Sequence, residues 1–381
     1  MADGLLNKAS IILTPTGYKA GTLYNVAPID EPYEDFDFAR TSTATRINSS
    51  GLVSNVATRV PRINYDSNGE NGHILLEPTS TNFLPYSNDF SQSNWVKQTN
   101  ITATYNTTET LSPDGTYNAT KLVGDGTDGI FDSSLSITGD VTRSVYLKSV
   151  SGTVTLKLKD SNINIGIETL TVTTEWQRFY LSGDNGSSLQ GIFIFNIPSS
   201  GVYMWGAQVE NSPYPTSYIP TLTGSTVTRA TETATGAGSS TLINSTEGVL
   251  YAEIAALADD ISGFRVLGIS DGGSTNRIFI GYTSNNIYAN VGAGTTIGSP
   301  YTPTNASNFH KVALKYENNN CKFFVDGSQI GSTTTSVTIP SGMNSLQFDS
   351  GANGSDFYGK CKALAVFNEA LSDSELTQLT T

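Results

Sequence analysis

The stretch TVTLKLKD, Thr153–Asp160, alternates apolar and polar side chains with a period of two. Val154, Leu156 and Leu158 would face a hydrophobic core, whereas the threonine and lysines between them would face solvent. A second stretch, GIFIFNIP (Gly191–Pro198), is apolar on both faces, which is typical of a strand buried between two layers. Turn sequences rich in Gly, Ser, Asn and Pro separate such runs at intervals of roughly ten residues, so the sequence predicts an all-β protein of sandwiches or barrels.

Composition narrows the partners that we expect. The 381-residue chain carries 34 acidic and 21 basic residues, a formal net charge of −13, which argues against coating nucleic acid through phosphate neutralisation. No run approaches the roughly 18 apolar residues that a membrane span needs, and the first residues lack the cationic region of a signal peptide. We therefore expect a protein made in the cytoplasm, with neither nucleic acid nor membrane as a partner.

Catalytic motifs are absent from the sequence. Glycoside hydrolysis needs two carboxylates placed across the sugar, yet Glu253 is the only acid within its predicted strand. The two histidines, His73 and His310, have no zinc-binding spacing, and there is no Gly-x-Ser-x-Gly elbow. We therefore expect no enzyme activity and assign no catalytic residue. For the only two cysteines, Cys321 and Cys361, reduced thiols are favoured and a single disulfide stays open.

Shifts in composition divide the chain into four parts. Residues 1–77 mix short strands with prolines and have no evident core, so we expect them to anchor the chain on its own domains or on a neighbouring subunit. Continuous β patterns over 78–222 and 246–381 predict two β-sandwich domains of the jelly-roll type. A Thr/Gly-rich connector at 223–245 would join them.

Two local signals fix positions along the chain. The stretch LSDSELTQLT (Leu371–Thr380) is the one helical pattern, in which Ser372 would cap the helix and Glu375 lies three residues later. Asp326 and Gly327 follow an apolar run and predict a two-residue hairpin turn.

Four of the nine arginines fall between Arg40 and Tyr65, in RTSTATRINSSGLVSNVATRVPRINY. Part of this segment, RINSSGLV, predicts a strand that enters a tight turn at Asn48–Gly51, where glycine is free to take a positive φ. Guanidinium groups around such a hairpin are suited to bridging carboxylates and carbonyls of a partner protein. We therefore predict an assembly contact, and the alternative is surface arginines without a partner. The residues concerned are Arg40, Arg46, Arg59 and Arg62.

Two oxygen-rich loops, SDGGSTN and DSGANGSD, are candidates for calcium binding. They offer backbone carbonyls and the carboxylates of Asp271, Asp349 and Asp356, which are the kinds of ligand that Ca²⁺ takes. Loops of this composition also form ordinary turns. We therefore expect no cofactor, with a structural calcium ion as the alternative left open.

Sugar binding would use an exposed aromatic face beside amides and carboxylates. Trp95, Trp176 and Trp205 lie in apolar strand contexts, so at least two of them should pack in a core. Tyr282 and Tyr288 flank TSNNI, and we predict that they form exposed platforms for a glycan.

The sequence around Trp95 is similar to a known family. LLEPTSTNFLPYSNDFSQSNWVK, followed by LSPDGTYNATKLV, TTEWQRFYL and YMWGAQVENSPYPTSYIPT, resembles a module of phage-encoded structural proteins over roughly residues 75–222. The preceding TATRINSSGLV resembles the lead-in segment of those proteins. The resemblance implies a β-sandwich similar to carbohydrate-binding jelly rolls, and it implies nothing about the ligand.

The C-terminal part resembles laminin-G-like or concanavalin A-like lectin domains. NFHKVALKYENNNCKFFVDGSQIG (Asn308–Gly331) and the later FYGKCKALAVFNEALSDSELTQL carry this resemblance, which spans about residues 246–381. It implies a second β-sandwich that closes with a strand and a short helix.

Together the two resemblances imply a structural protein on the surface of a tailed-phage virion, as a head fibre, a capsid decoration or a tail fibre. Its partners would be capsid or tail subunits, host-surface polysaccharide and further copies of itself in a homo-oligomer, a trimer being the usual form of phage fibres. Two other classes stay open, a polysaccharide depolymerase and a free lectin-like adhesin.

Overall fold

The structure is a computed structural model that describes residues 4–26, 35–160, 166–184, 189–259, 263–351 and 354–381. Strands account for 44% of it and helix for 3%, which confirms the predicted all-β class. No helix within these described ranges is long and apolar enough to cross a membrane.

The first strands along the chain are short, and a 3₁₀ turn (Leu6–Lys8) precedes them. They are β1 (Ala9–Leu13), β2 (Tyr18–Lys19), β3 (Thr22–Leu23), β4 (Phe36–Ala39), β5 (Ala44–Ile47), β6 (Val53–Val56), β7 (Ile63–Asn64), β8 (His73–Leu76), β9 (Ser80–Asn82), β10 (Val96–Lys97), β11 (Thr102–Thr104) and β12 (Thr120–Val123).

The later strands include longer ones, and one helix ends the chain. They are β13 (Ile130–Ser136), β14 (Val141–Ser149), β15 (Val154–Lys159), β16 (Ile167–Val172), β17 (Gln177–Gly183), β18 (Leu189–Phe195), β19 (Val202–Glu210), β20 (Val227–Arg229), β21 (Thr233–Thr235), β22 (Glu247–Ala256), β23 (Phe264–Ser270), β24 (Arg277–Thr283), β25 (Asn286–Val291), β26 (Thr295–Thr296), β27 (His310–Glu317), β28 (Lys322–Val325), β29 (Ser328–Gln329), β30 (Ser345–Gln347), β31 (Gly359–Phe367) and α1 (Asp373–Thr380).

The chain folds into two compact units, and neither is continuous in sequence. Unit 1 comprises the described residues of Met1–Thr41, Val56–Pro78 and Thr231–Thr381. Unit 2 comprises those of Ser42–Asn55 and Thr79–Ala230. This division differs from the linear order of domains predicted from composition. The physical reason is that β1, β7 and β8 pair into the same sheet as the C-terminal strands.

Unit 2 is a sandwich of two antiparallel five-stranded sheets, ordered β10-β13-β18-β15-β16 and β11-β12-β19-β14-β17. The alternation in TVTLKLKD is confirmed in β15, where Leu156 and Leu158 are fully buried and Lys157 is exposed. Trp95 packs in this core, and Trp205 is buried in a smaller apolar cluster, so the expectation that at least two tryptophans are core residues is confirmed.

Unit 1 is a second sandwich. Its larger sheet has eight described strands, in the order β29-β28-β27-β22-β31-β8-β7 with β1 also paired to β31, and its smaller sheet has the order β26-β25-β24-β23-β30. Apolar side chains of both sheets, such as Leu250, Leu314 and Ile280, are fully buried. A four-stranded sheet, β2-β3-β4-β21, also belongs to this unit.

Strand β31 shows why the N-terminal residues belong to unit 1. One edge of β31 pairs with β22 along its length, and the other edge is shared between β1 and β8. Ile11 and Leu13 of β1 and Ile74 and Leu76 of β8 are at most 1% exposed. Residues predicted to anchor the chain are therefore part of the core of this unit.

The local signals read from the sequence have the expected structures. Asp326 and Gly327 both have positive φ angles, 47° and 83°, and join β28 to β29. Gly51, with φ 73°, lies in the turn between β5 and β6. At α1 the side chain of Ser372 accepts from the Glu375 amide, while the Glu375 carboxylate accepts from the Ser372 amide, which completes a capping box.

Candidate functional site

A groove of about 440 Å³ opens on the smaller sheet of unit 1. Side chains from β23, β24 and β25 line it together with the loops that follow β25 and β30. The lining residues, which define the groove, are Phe264, Val266, Arg277, Phe279, Tyr288, Asn290, Ala293, Gly294, Ser350 and Ser355.

Strand alternation decides which side chains reach the groove. In β24, Ile278, Ile280 and Tyr282 are fully buried in the core of the sandwich, so Arg277 and Phe279 point to the opposite face. The neighbouring strand β25 alternates in the same way and turns two further side chains toward the groove. Alternation with a period of two thus gives this sheet an apolar face toward the core and a polar and aromatic face toward the groove.

Aromatic rings form one side of the groove. Phe264 is 54% exposed, and its ring meets the ring of Tyr288 edge-on, with 5.8 Å between centroids. Phe279 contacts the same tyrosine with 6.0 Å between centroids. The guanidinium of Arg277 lies 5.0 Å from the centroid of the Phe279 ring. The groove therefore combines an exposed apolar ring with a cation held against an aromatic face.

Three polar atoms of the groove residues have no hydrogen-bond partner among the described residues. They are Nε of Arg277, the hydroxyl of Tyr288 and Oδ1 of Asn290, and all three are shielded from water. Leaving such a group unpaired costs about 1–3 kcal/mol. Because buried polar atoms are nearly always paired in folded proteins, these three atoms set the groove residues apart from an ordinary apolar surface.

The hydroxyl of Tyr288 keeps its proton. Burial raises the pKa of Tyr288, and the nearby charge of Arg277 opposes this rise only in part. The side chain is therefore a neutral phenol that can donate one hydrogen bond and accept others.

One wall of the groove is the loop that contains two of the predicted calcium ligands. Asp349 and, in the other loop, Asp271 each accept a hydrogen bond from the backbone amide two residues further on. Asp356 accepts from the hydroxyl of Tyr358 at 2.8 Å. Burial, with a contribution from Asp356, raises the pKa of Asp349. These carboxylates stabilise their own turns, and the described residues contain no group of three His, Cys, Asp or Glu side chains that would hold a metal ion.

The expectation of exposed platforms at Tyr282 and Tyr288 is wrong. Tyr282 is fully buried on the core face of β24, and its hydroxyl donates to the carbonyl of Ile254 at 2.9 Å. Tyr288 does line the groove, but its side chain is only 4% exposed because other rings cover it. The exposed ring is that of Phe264, which sequence reasoning missed. Alternation in RIFIGYT was an available signal for the groove, since it places Arg277 and Phe279 on one face, but it does not locate Phe264.

The predicted arginine contact has a different partner from the one expected. Arg40 and Arg62 are buried, and both bind the carboxylate of Glu232, with Arg40 Nη1 at 2.6 Å and Arg62 Nε at 2.8 Å. Arg62 also pairs with Glu77 at 2.8 Å. Burial alone would lower the pKa of Arg62, but the two glutamates outweigh it and raise that pKa. We call these four residues the buried charge cluster; all of them belong to unit 1.

This arrangement corrects the expectation that all four arginines are available to a partner protein. Arg40 and Arg62 are 1% and 0% exposed, and their partners are carboxylates of their own chain. Glu232, which binds both arginines, lies 192 residues after Arg40 and 170 after Arg62, so local sequence reasoning could not identify it. Arg46, half-buried on β5, and Arg59, exposed between β6 and β7, are not part of the cluster, and their assembly role stays a prediction.

A second cavity, of about 550 Å³, lies in unit 2 between β16 and β17. Arg178 lines it, but its guanidinium already donates to the carbonyl of Thr216 at 2.6 Å and to Oγ of Ser144 at 2.9 Å. Tyr180 offers an exposed ring, and Glu168 adds a carboxylate. Both terminal nitrogens of this arginine are therefore engaged within the chain, and its Nε, like that of Arg277, has no partner among the described residues.

The two cysteines are free and buried. Burial raises the pKa of both Cys321 and Cys361, so neither thiol is readily ionised. The favoured expectation of two reduced thiols is confirmed.

Comparison with known families places the groove in a recognised type of domain. Residues 256–377 match the Laminin_G_3 model, described as the concanavalin A-like lectin/glucanases superfamily. This range includes every residue that lines the groove. No curated protein sequence matches the chain.

Among solved structures, three carbohydrate-related domains illustrate the likeness. The CBM40 domain of the Ruminococcus gnavus IT-sialidase is 17% identical, with 39% of this chain and 94% of that chain covered and a TM-score of 0.32. Domain 4 of AbnA, a GH43 extracellular arabinanase from Geobacillus stearothermophilus solved with arabinotriose, is 15% identical over 40% and 77%, with a TM-score of 0.30. The CBM22-1 xylan-binding domain of Paenibacillus barcinonensis Xyn10C is 15% identical over 34% and 90%, with a TM-score of 0.25. No ligand of the present chain is inferred from likenesses of this size.

Proposed function

We propose that this protein binds glycans through the groove of unit 1, without cleaving them. The observation that carries the proposal is the combination of one exposed aromatic ring, Phe264, with three shielded and unpaired polar atoms on Arg277, Tyr288 and Asn290. A sugar has apolar ring faces rimmed by hydroxyls, so it stacks on an aromatic ring while it pairs with polar groups beside it.

The family match supports this proposal. The groove residues fall inside the range that matches a superfamily whose description names lectins. That description also names glucanases, but a pair of carboxylates is what glycoside hydrolysis needs. No carboxylate is present among the described residues that line the groove, so the groove favours binding over hydrolysis.

The test is a glycan array probed with the purified full chain and with two variants. We expect the wild-type protein to bind a subset of glycans and Phe264→Ala to lose at least about fivefold in affinity, since loss of a stacked ring costs of order 1–3 kcal/mol. Tyr117→Ala is the matched control, because Tyr117 is also 54% exposed and lies in unit 2. Equal binding by Phe264→Ala and wild type would contradict the proposal, and shortened host polysaccharide after incubation would favour a depolymerase.

We further propose that the chain displays this groove on the surface of a tailed-phage virion, as a homo-oligomer attached to capsid or tail subunits. The support is the sequence resemblance of roughly residues 75–222, and of the segment before them, to phage-encoded structural proteins. Arg40 and Arg62 belong to the buried charge cluster. The assembly contact that we propose involves the exposed Arg59 and the half-buried Arg46.

Particle incorporation tests this second proposal. We expect the chain in purified virions by mass spectrometry, and we expect Arg46→Ala with Arg59→Ala to reduce its amount per particle. Arg265→Ala, an arginine substitution in the lectin-like range, is the control. Absence of the chain from particles would leave the free lectin-like adhesin in place of the virion protein.

A further inference from the structure

We propose that the groove recognises an acidic sugar and that Arg277 binds its carboxylate. The inference rests on the proposed glycan-binding function and names the chemical class of its ligand. It comes from the charge and the free hydrogen-bond donors of one side chain.

Arg277 is the one charged side chain among the described residues that line the groove. It is partly buried, and no carboxylate of the described chain forms an ion pair with it. A partly desolvated cation without a counter-ion is unfavourable, and a bound anion offsets that cost. The lining charge of the groove among the described residues is therefore positive, and a positive lining favours an anionic ligand.

The free edge of the guanidinium fits a carboxylate. Nη1 of Arg277 donates to the carbonyl of Ser350 at 2.9 Å, which fixes one end of the group. Nε has no partner, and Nη2 makes no hydrogen bond within the described residues. The edge that carries Nε and Nη2 has two parallel N–H bonds, the geometry that binds a planar carboxylate with two hydrogen bonds once the side chains that cover Nε have shifted.

The remaining groove residues suit the rest of the sugar. The exposed ring of Phe264 offers a stacking surface, and Oδ1 of Asn290 is an acceptor for a sugar hydroxyl. Because Nε of Arg277 and Oδ1 of Asn290 are shielded from water, the side chains around them must shift when the ligand enters. Uronic acids and nonulosonic acids share the required chemistry, a pyranose ring with a carboxylate.

Isothermal titration calorimetry with the full chain tests the inference. The probes are tetragalacturonate and 3′-sialyllactose, each compared with its neutral counterpart, galactotetraose and lactose. We expect at least one acidic probe to bind at least about tenfold more tightly than its neutral counterpart, and the acidic probe that binds identifies the source of the carboxylate. Arg277→Gln should abolish this difference, and Arg277→Lys should restore only part of it, because lysine keeps the charge and lacks the fork.

Arg265→Gln is the control, since it removes the same charge from a side chain of unit 1 that does not line the groove. It should preserve the preference for the acidic probe. If Arg277→Gln fails to fold, the Arg277→Lys result decides. Equal binding of acidic and neutral probes, with both lost in Phe264→Ala, would overturn the acidic-sugar inference and leave the proposed function standing. Absence of binding to these probes and to every glycan of the array would overturn both.

Discussion

Glu232 shows at the scale of one residue how the chain places arginines in its interior. A single carboxylate, itself 1% exposed, binds Arg40 and Arg62, and its Oε2 also accepts from the amide of Glu77 at 3.0 Å. A buried charge is tolerable only when it is paired and hydrogen-bonded, and here each member satisfies the others. The buried charge cluster therefore has a structural role in the interior of unit 1.

Removing the carboxylate of Glu232 should destabilise the fold strongly. In Glu232→Gln two buried guanidinium groups lose their shared counter-ion, so we expect the free energy of unfolding to fall by about 3–5 kcal/mol in chemical denaturation. Glu369→Gln is the matched control, because Glu369 is exposed and its ion pair with Lys8, at 3.7 Å, lies on the surface. That control should change stability by less than about 0.5 kcal/mol. Similar stabilities for the two variants would contradict a structural role for the cluster.

His73 predicts a dependence of stability on pH. Burial lowers the pKa of His73 to about 4, and the ring is neutral, with Nδ1 donating to the carbonyl of Asn71 at 2.9 Å and Nε2 accepting from Asn64. Between about pH 6.5 and pH 4 the unfolded chain binds a proton that the folded chain does not, so stability falls as pH falls, by up to about 3 kcal/mol.

Denaturation at a series of pH values checks this. His73→Gln should flatten the loss between pH 6.5 and pH 4, while His310→Gln, which leaves His73 in place, should retain it. An unchanged pH profile in His73→Gln would show that His73 is not the responsible group.

At the scale of the element, short sequence patterns correctly predicted features that depend on interactions between residues close together in the sequence. The alternation in β15, the turn at Asp326 and Gly327 and the cap of α1 depend on neighbours a few residues apart, and each has the predicted structure. The pairing of β1 and β8 with β31 joins residues near opposite ends of the chain, and no local pattern specifies such a partner. The prediction of the glycan-binding residues failed for a related reason, since the residues that line the groove come from three strands and two loops.

The cap of α1 is a direct test at this scale. Hydrogen bonds from Lys8 and Ser372 lower the pKa of Glu375 to about 2, so the capping box holds its charged form at neutral pH. Ser372→Ala should reduce stability by about 1 kcal/mol in thermal or chemical unfolding, because one orphan amide of the first turn loses its acceptor. Thr377→Ala, an exposed position inside the helix, should be neutral or slightly stabilising. A loss as large in Thr377→Ala would contradict the capping role.

For the whole molecule, the central fact is that unit 1 is assembled from segments far apart in the sequence. Its lectin-like range alone would expose an edge of β31, together with the buried faces that β1 and β8 cover. The linear domain division predicted from composition implies that residues 246–381 form a self-sufficient sandwich. The pairing of β31 implies that they do not.

Expression of residues 246–381 distinguishes these alternatives. We expect this fragment to be insoluble or poorly folded, with few dispersed amide resonances in an NMR spectrum, because the edge of β31 and its apolar neighbours lose their cover. The full chain is the control and should give a dispersed spectrum. A well-dispersed spectrum from the fragment would show that the N-terminal strands are dispensable.

The most direct measurement of the central claim is a crystal structure of the full chain with the glycan that binds most tightly in solution. The account predicts the sugar in the groove, stacked on Phe264 and with an oxygen within hydrogen-bond distance of Arg277. A sugar bound instead between β16 and β17 of unit 2, with an unchanged groove, would contradict it.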